Sequence, residues 1–340
     1  MVETPQSLIE WLSQNLPKPW ATMASSASLE PCHGGHSNLT YLLRLGDQVL
    51  VLRRAPPGVK AKTAHDMVRE ASVLRAIQPH FSLAPEVYAV CDDPEVMGTR
   101  FFIMQHLRGP ICGRRLPMEL SAEQCRVLMH RVMDLHADLH AVDLQATGLG
   151  RLGKPQGYVS RQVQGWSRRY RAARTDDVPS CEALMKWLDD HQPSESGAAL
   201  IHNDFKLDNL VLDPLDPTQI IGVLDWEMTT VGDPLLDLGA SMAYWVETDD
   251  PAPMQALRTL PSTEPGMPTR EELIARYCAR SQIQVDDFRW YLVYGLFRLA
   301  VIAQQIYLRF TLGQSRNPRF AKLGSAVHAL RDQAREISDI

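Results

Sequence analysis

Residues 200–227, LIHNDFKLDNLVLDPLDPTQIIGVLDWE, constrain this chain more than any other stretch. The runs LVL at 210–212 and IIGVLDW at 220–226 are apolar and strand-like, and the intervening DPLDPTQ is rich in turn formers. A strand out and a strand back place Asn209 beside Asp225. An amide oxygen next to a carboxylate makes a hard-oxygen site of the kind Mg²⁺ takes, keeping waters and filling its shell from phosphates. Asp204 lies just upstream, on the turn into the hairpin, where it faces a hydroxyl approaching the same metal-bound phosphate. It is the candidate base, since in phosphoryl transfer the protein mainly positions reactants and neutralises charge while an aspartate takes the hydroxyl proton. All three are also common turn and cap residues. The coincidence of three spacings, with Asp225 following an apolar strand, favours chemistry.

The rest of the chain divides in character. QSLIEWLSQNL at 6–16 carries Leu8, Ile9, Leu12 and Leu16 at helical spacing before two prolines. TYLLRLGDQVLVLRR, ending at Arg54, reads as a hairpin turning at Gly46-Asp47. AHDMVREASVLRAI at 64–77 has a helical apolar face of Met67, Ala71, Leu74 and Ile77, and β-like runs follow at 86–90 and 100–104. After Gly109-Pro110 the sequence becomes mainly helical. Ser121 with Gln124, and Thr269 with Glu272, are capping-box spacings at two helix starts. The expected class is therefore α+β: a β-rich N-terminal lobe over 1–105, a linker at 106–110 and a helical lobe over 111–340. Proline spacing in 249–268 predicts a loop or lid.

Bulk properties exclude several partners. A formal net charge of −5 gives no electrostatic reason for nucleic acid or an anionic membrane surface. The six cysteines show no CxxC pair or zinc-like spacing, and the N-terminus lacks the pattern of a secretory signal, so a reducing, cytoplasmic setting is expected. The longest apolar stretch, LVYGLFRLAVIA at 292–303, is interrupted by Arg298 and too short to cross a bilayer, so it reads as a buried helix. His136 and His140 lie one turn apart on an apolar helix with no glutamate in the zinc-protease position, which favours packing over a metal.

HNDFKLDN has the H-x-D-x-K-x-x-N spacing of the protein-kinase catalytic loop. In detail the chain resembles the aminoglycoside phosphotransferase and choline kinase family, because Asp225-Trp226-Glu227 stands where protein kinases have Asp-Phe-Gly, and GDPLLDLG at 232–239 fits that group as well. With GGHSN, VLRRAPPG and LHAVDL added, it is most similar to phosphotransferase-like proteins associated with acyl-CoA dehydrogenases, a group linked to phosphorylation of hydroxyacyl-CoA compounds.

That resemblance implies a two-lobed protein-kinase-like fold with ATP and Mg²⁺ in the cleft. Asp204, Lys206 and His202 would form the catalytic loop, with Lys206 neutralising the transferring phosphate and His202 holding the loop by hydrogen bonds. Asn209 and Asp225 would bind the metal, with Glu227 as a further acidic contact, and Asp237 would brace the loop. Gly34, Gly35, Ser37 and Asn38 would form the phosphate-covering turn, whose glycines admit close backbone approach. Arg53 occupies the place of the usual phosphate-binding lysine, with Glu70 as its helical partner, and Gln105 to Leu107 would receive the adenine. The implied activity is transfer of the ATP γ-phosphate to a hydroxyl of a small molecule, either a hydroxyacyl-CoA or an aminoglycoside, choline or other amino alcohol. A catalytically weak nucleotide-binding pseudokinase is the competing class, admitted by Arg53. Arg168, Arg169, Arg171 and Arg174 lean toward an anionic acceptor.

Overall fold

The computed structural model describes residues 4–32, 38–56, 66–315 and 317–340. Helices α1 (Gln6–Asn15) and α2 (Lys18–Ala21) lead into an antiparallel sheet of β1 (Ser28–Pro31), β2 (Leu39–Leu45), β3 (Gln48–Arg54), β4 (Val87–Cys91) and β5 (Phe101–Gln105), in the order β1-β2-β3-β5-β4. The β2–β3 hairpin turns through Gly46 at φ +57°, a conformation glycine adopts without steric penalty. Strand β1 has no counterpart among the expected elements. Ser28–Pro31 is too short and too polar to show a strand pattern, and pairing with β2 is what extends it.

Alternation along β3 sorts its side chains. Leu50 and Leu52 join α1 residues Leu8 and Leu12 in a core on one face of the sheet, while Val51 packs with Met67, Ala71 and Leu74 of α3 (Met67–Ile77) on the other. Arg53 shares the parity of Val51 and therefore faces α3. The described helix begins at Met67, where Asp66 caps it by accepting from the Arg69 N–H at 3.0 Å.

The second lobe is helical around two small two-stranded antiparallel sheets. It comprises α4 (Ala122–His140), α5 (Tyr158–Ala173), α6 (Glu182–Asp190), α7 (Pro234–Met242), α8 (Ala252–Leu257), α9 (Arg270–Ser281), α10 (Arg289–Thr311) and α11 (Leu323–Ile337). Both capping boxes form, at Ser121/Gln124 and Thr269/Glu272. Strand β6 (Ala199–Ile201) pairs with β9 (Thr230–Gly232), and β7 (Leu210–Leu212) with β8 (Ile220–Val223). Helix α7 crosses α10 at two glycines: a Cβ on Gly295 would lie 2.2 Å from the Gly239 carbonyl oxygen, so this approach admits hydrogen alone.

Three expectations change. The 249–268 stretch is not a loose lid, because α8 forms within it and Met254 and Leu260 are buried anchors. The second hairpin strand ends at Val223 rather than running to 226, since Asp225 turns left-handed at φ +66°. Helix α10 has 23 residues and is long and apolar enough to cross a membrane by length and composition. Packing against α5, α7 and α11 is what marks it as a core helix, and Phe297, Ala300 and Val301 are fully buried within it.

Candidate functional site

The strand out and back does what the spacing requires. β7 and β8 pair, the Leu224 N–H donates to the Asn209 carbonyl at 2.8 Å, and Asn209 and Asp225 flank the same end of the hairpin. Asn209 Nδ2 donates to the Asp204 carbonyl oxygen at 2.8 Å and to its carboxylate at 2.9 Å. Asn203 and Asp225 both sit at positive φ, 67° and 66°, a conformation that asparagine and aspartate tolerate better than other non-glycine residues.

Lys206 Nζ lies 3.1 Å from Asp204 Oδ2 and 2.8 Å from Asp208 Oδ1, and 5.4 Å above the Tyr244 ring. Burial alone would lower its pKa, yet the Asp204 and Asp208 carboxylates outweigh it and hold the ammonium above the usual lysine range. Asp208, largely buried, is itself pushed up by desolvation, with Lys206 opposing. Lys206 is thus a fixed cation beside the candidate base.

His202 is fully buried, and both ring nitrogens are used: Nε2 lies 2.9 Å from the Leu224 carbonyl and Nδ1 accepts from the Asp204 N–H at 3.3 Å. Burial lowers its pKa. Both ring nitrogens are thus committed to the loop backbone. Asp237, in the first turn of α7, receives the His202 N–H at 2.8 Å and the Asn203 N–H at 2.7 Å. His136 and His140 of α4 add their Nε2 atoms to the same carboxylate at 3.2 and 3.1 Å. The histidine pair thus shares Asp237 with the 202–204 loop, and the His136 ring stacks on Phe205 at 4.1 Å.

The first lobe supplies the opposite wall. Arg53 Nε donates to Glu70 Oε2 at 3.1 Å, and its Nη2 reaches Asp225 Oδ1 at 2.5 Å and Glu227 Oε2 at 3.0 Å. Burial pushes the Glu70 carboxyl up to about 7, with Asp225 and Glu227 adding and Arg53 opposing. The Asn38 amide also donates to Glu227. Gly34, Gly35 and Ser37 lie outside the described residues. Gln105 closes β5, and its N–H is already committed to the Glu86 carbonyl at 2.8 Å. Leu107 packs its side chain against Gly222 of β8.

Two supporting residues escape the motif pattern. Arg298, buried in α10, donates to the Asn203 carbonyl at 2.8 Å, and the sequence signal for it is an arginine interrupting an apolar run. Arg69 ties α3 to the loop after Asp225, donating to the carbonyls of Glu227 at 3.0 Å and Thr229 at 2.5 Å. Nothing in the sequence marks it.

A model of the phosphotransferase enzyme family, APH, matches residues 28–273, a span that includes Asn38, Arg53, Glu70 and the whole 200–239 block. The chain belongs to that family. Acyl-CoA dehydrogenase family member 10 of Mus musculus is 34% identical over 302 residues, 88% of this chain but 28% of that protein. The chain spans less than half the length of the curated relatives it matches. Among solved structures, a Ralstonia eutropha protein placed among the aminoglycoside phosphotransferases superposes with a TM-score of 0.81 at 28% identity, covering 98% of both chains. Aminoglycoside phosphotransferase APH(4)-Ia, in a ternary complex with ADP and hygromycin B, has a TM-score of 0.60 at 16% identity, covering 98% of both chains, and shares the fold. The two-lobed arrangement is thus the kinase-like fold of the family, and phosphotransfer is its chemistry.

Proposed function

We propose that this chain transfers the γ-phosphoryl group of ATP to a hydroxyl of a small molecule with Mg²⁺ as the metal. The observation that carries the reading is the convergence of Asp204, Lys206, Asn209 and Asp225 on one hairpin end, facing Arg53 and Glu70 from the first lobe. The donor set fits the metal: the Asp225 carboxylate and the Asn209 side-chain oxygen are hard ligands, with Glu227 beside them. When bound, Mg²⁺ neutralises phosphate charge.

The chain's residues supply the remainder. Asp204 accepts the proton of the acceptor hydroxyl as its oxygen bonds to the γ-phosphorus, and the bond to the β-phosphate oxygen breaks to release ADP. Asn209 fixes the Asp204 carboxylate, and Lys206 offsets negative charge on the transferred group. ADP in the APH(4)-Ia complex supports a nucleotide in the equivalent cleft.

For the acceptor we favour a hydroxyacyl-CoA. The relative bearing an acyl-CoA dehydrogenase name supports that class. So does Arg169, an exposed cation whose guanidinium lies 4.4 Å over the Trp166 ring, while the buried Arg298, 5.3 Å from the same ring, bonds Asn203 of the loop. Arg171 is paired with Glu182. A coupled ADP-release assay with Mg-ATP against hydroxyacyl-CoAs, aminoglycosides and amino alcohols tests this. Turnover with the first class alone is expected, and turnover confined to a cationic acceptor overturns the acceptor assignment.

A further inference from the structure

Arg53 stands where the metal's ligands are. Its side chain is only 12% exposed, and its guanidinium binds three carboxylates at once: Glu70 through Nε, and Asp225 and Glu227 through Nη2. Two of these are the acidic residues assigned to Mg²⁺ above, so the inference rests on that assignment. Nη2 lies 2.5 Å from Asp225 Oδ1, so a divalent ion on the same carboxylate would meet the positive guanidinium at close range, and the two compete for its charge. A lysine ammonium is one compact point, whereas the planar fork of arginine reaches Glu70 with one nitrogen and the opposite carboxylates with another.

We infer that Arg53 is a positioning residue that imposes an order of binding: it holds Asp225 and Glu227 as an internal cation until nucleotide phosphates draw Nη2 away, so that the divalent ion enters with the nucleotide. The geometry provides a pivot. Nε can keep its bond to Glu70 while Nη2 exchanges carboxylate oxygens for phosphate oxygens, which a guanidinium binds as readily. Glu70 is buried on α3, and α3 is itself fixed to the Glu227–Thr229 backbone by Arg69, so the pivot stays in register with the carboxylates.

The experiment measures Mn²⁺ binding to the full chain by electron paramagnetic resonance, with and without AMP-PNP, in wild type, Arg53→Gln, Arg53→Lys and Asp225→Ala. Circular dichroism confirms folding of each. In wild type, Mn²⁺ alone should bind weakly and AMP-PNP should tighten it strongly. Arg53→Gln removes the competing charge and should tighten Mn²⁺ alone by at least about tenfold, the scale of one unit charge near a divalent ion even with the screening of bulk water. AMP-PNP should then add less. Arg53→Lys keeps the charge but loses the fork and should fall between, and it decides the matter if Arg53→Gln does not fold. If Mn²⁺ alone binds both variants no more tightly than wild type, the ordering role is overturned while the metal site stands. If wild type binds no Mn–AMP-PNP, or Asp225→Ala binds it equally well, the metal assignment falls and this inference with it.

Discussion

The side-chain amide of Asn209 donates to both the backbone carbonyl and the carboxylate of Asp204, at 2.8 and 2.9 Å, so a candidate metal ligand also orients the candidate base. Asp204→Asn keeps the size of the side chain and removes the base. General-base assistance is typically worth about 10²- to 10⁴-fold in rate, while interactions equal in ground and transition states are spared. The variant should bind Mg-ATP nearly as wild type does in calorimetry and show a kcat lowered by that range on a verified acceptor. Unchanged turnover would remove Asp204 from the mechanism.

Asp237 receives two loop N–H groups and two imidazoles at zero side-chain exposure. Asp237→Ala would strand these donors in the core. Leaving buried polar groups unpaired, or breaking a buried charged network, costs about 3–5 kcal/mol. Urea denaturation should show a loss of that size, and a loss below about 1 kcal/mol, the scale of a single ordinary hydrogen bond, would mean that the loop is held by other contacts.

Acid should destabilise the fold through the same cluster. Burial, with His140 adding, depresses His136 to about 4, and burial also lowers His202. Asp237 is held well below the carboxylate range: desolvation opposes this, but the bonds from His136 and His140 prevail. A histidine depressed in the folded state is protonated first in the unfolded chain, whose imidazoles titrate near ~6.5. Stability is therefore full above that pH and falls as pH drops toward 4, by about 3 kcal/mol for His136 alone. His136→Gln keeps a donor for Asp237 without the titration, so its melting temperature should fall less steeply between pH 6.5 and 4. A slope equal to wild type would place the acid sensitivity elsewhere.

Local pattern made much of this legible. The hairpin spacing announced Asn209 beside Asp225, and the two capping boxes marked the starts of α4 and α9. Short elements were not legible. Ser28–Pro31 becomes a strand only because β2 offers a partner, and α8 forms because Met254 finds a buried site. Asp225 ends its strand through a left-handed backbone that no propensity scale assigns to that aspartate.

By itself the sequence determined the two-lobed class, the candidate loop residues and the family, because each is written in spacings of a few residues that secondary structure converts directly into proximity. Tertiary structure alone decided who supports whom. Arg298 reaches Asn203 across 95 positions, Arg69 reaches Glu227 across 158, and Arg53 reaches Asp225 across 172. Such pairs depend on how helices and sheets pack, and packing is set by the summed burial of many side chains rather than by any local string.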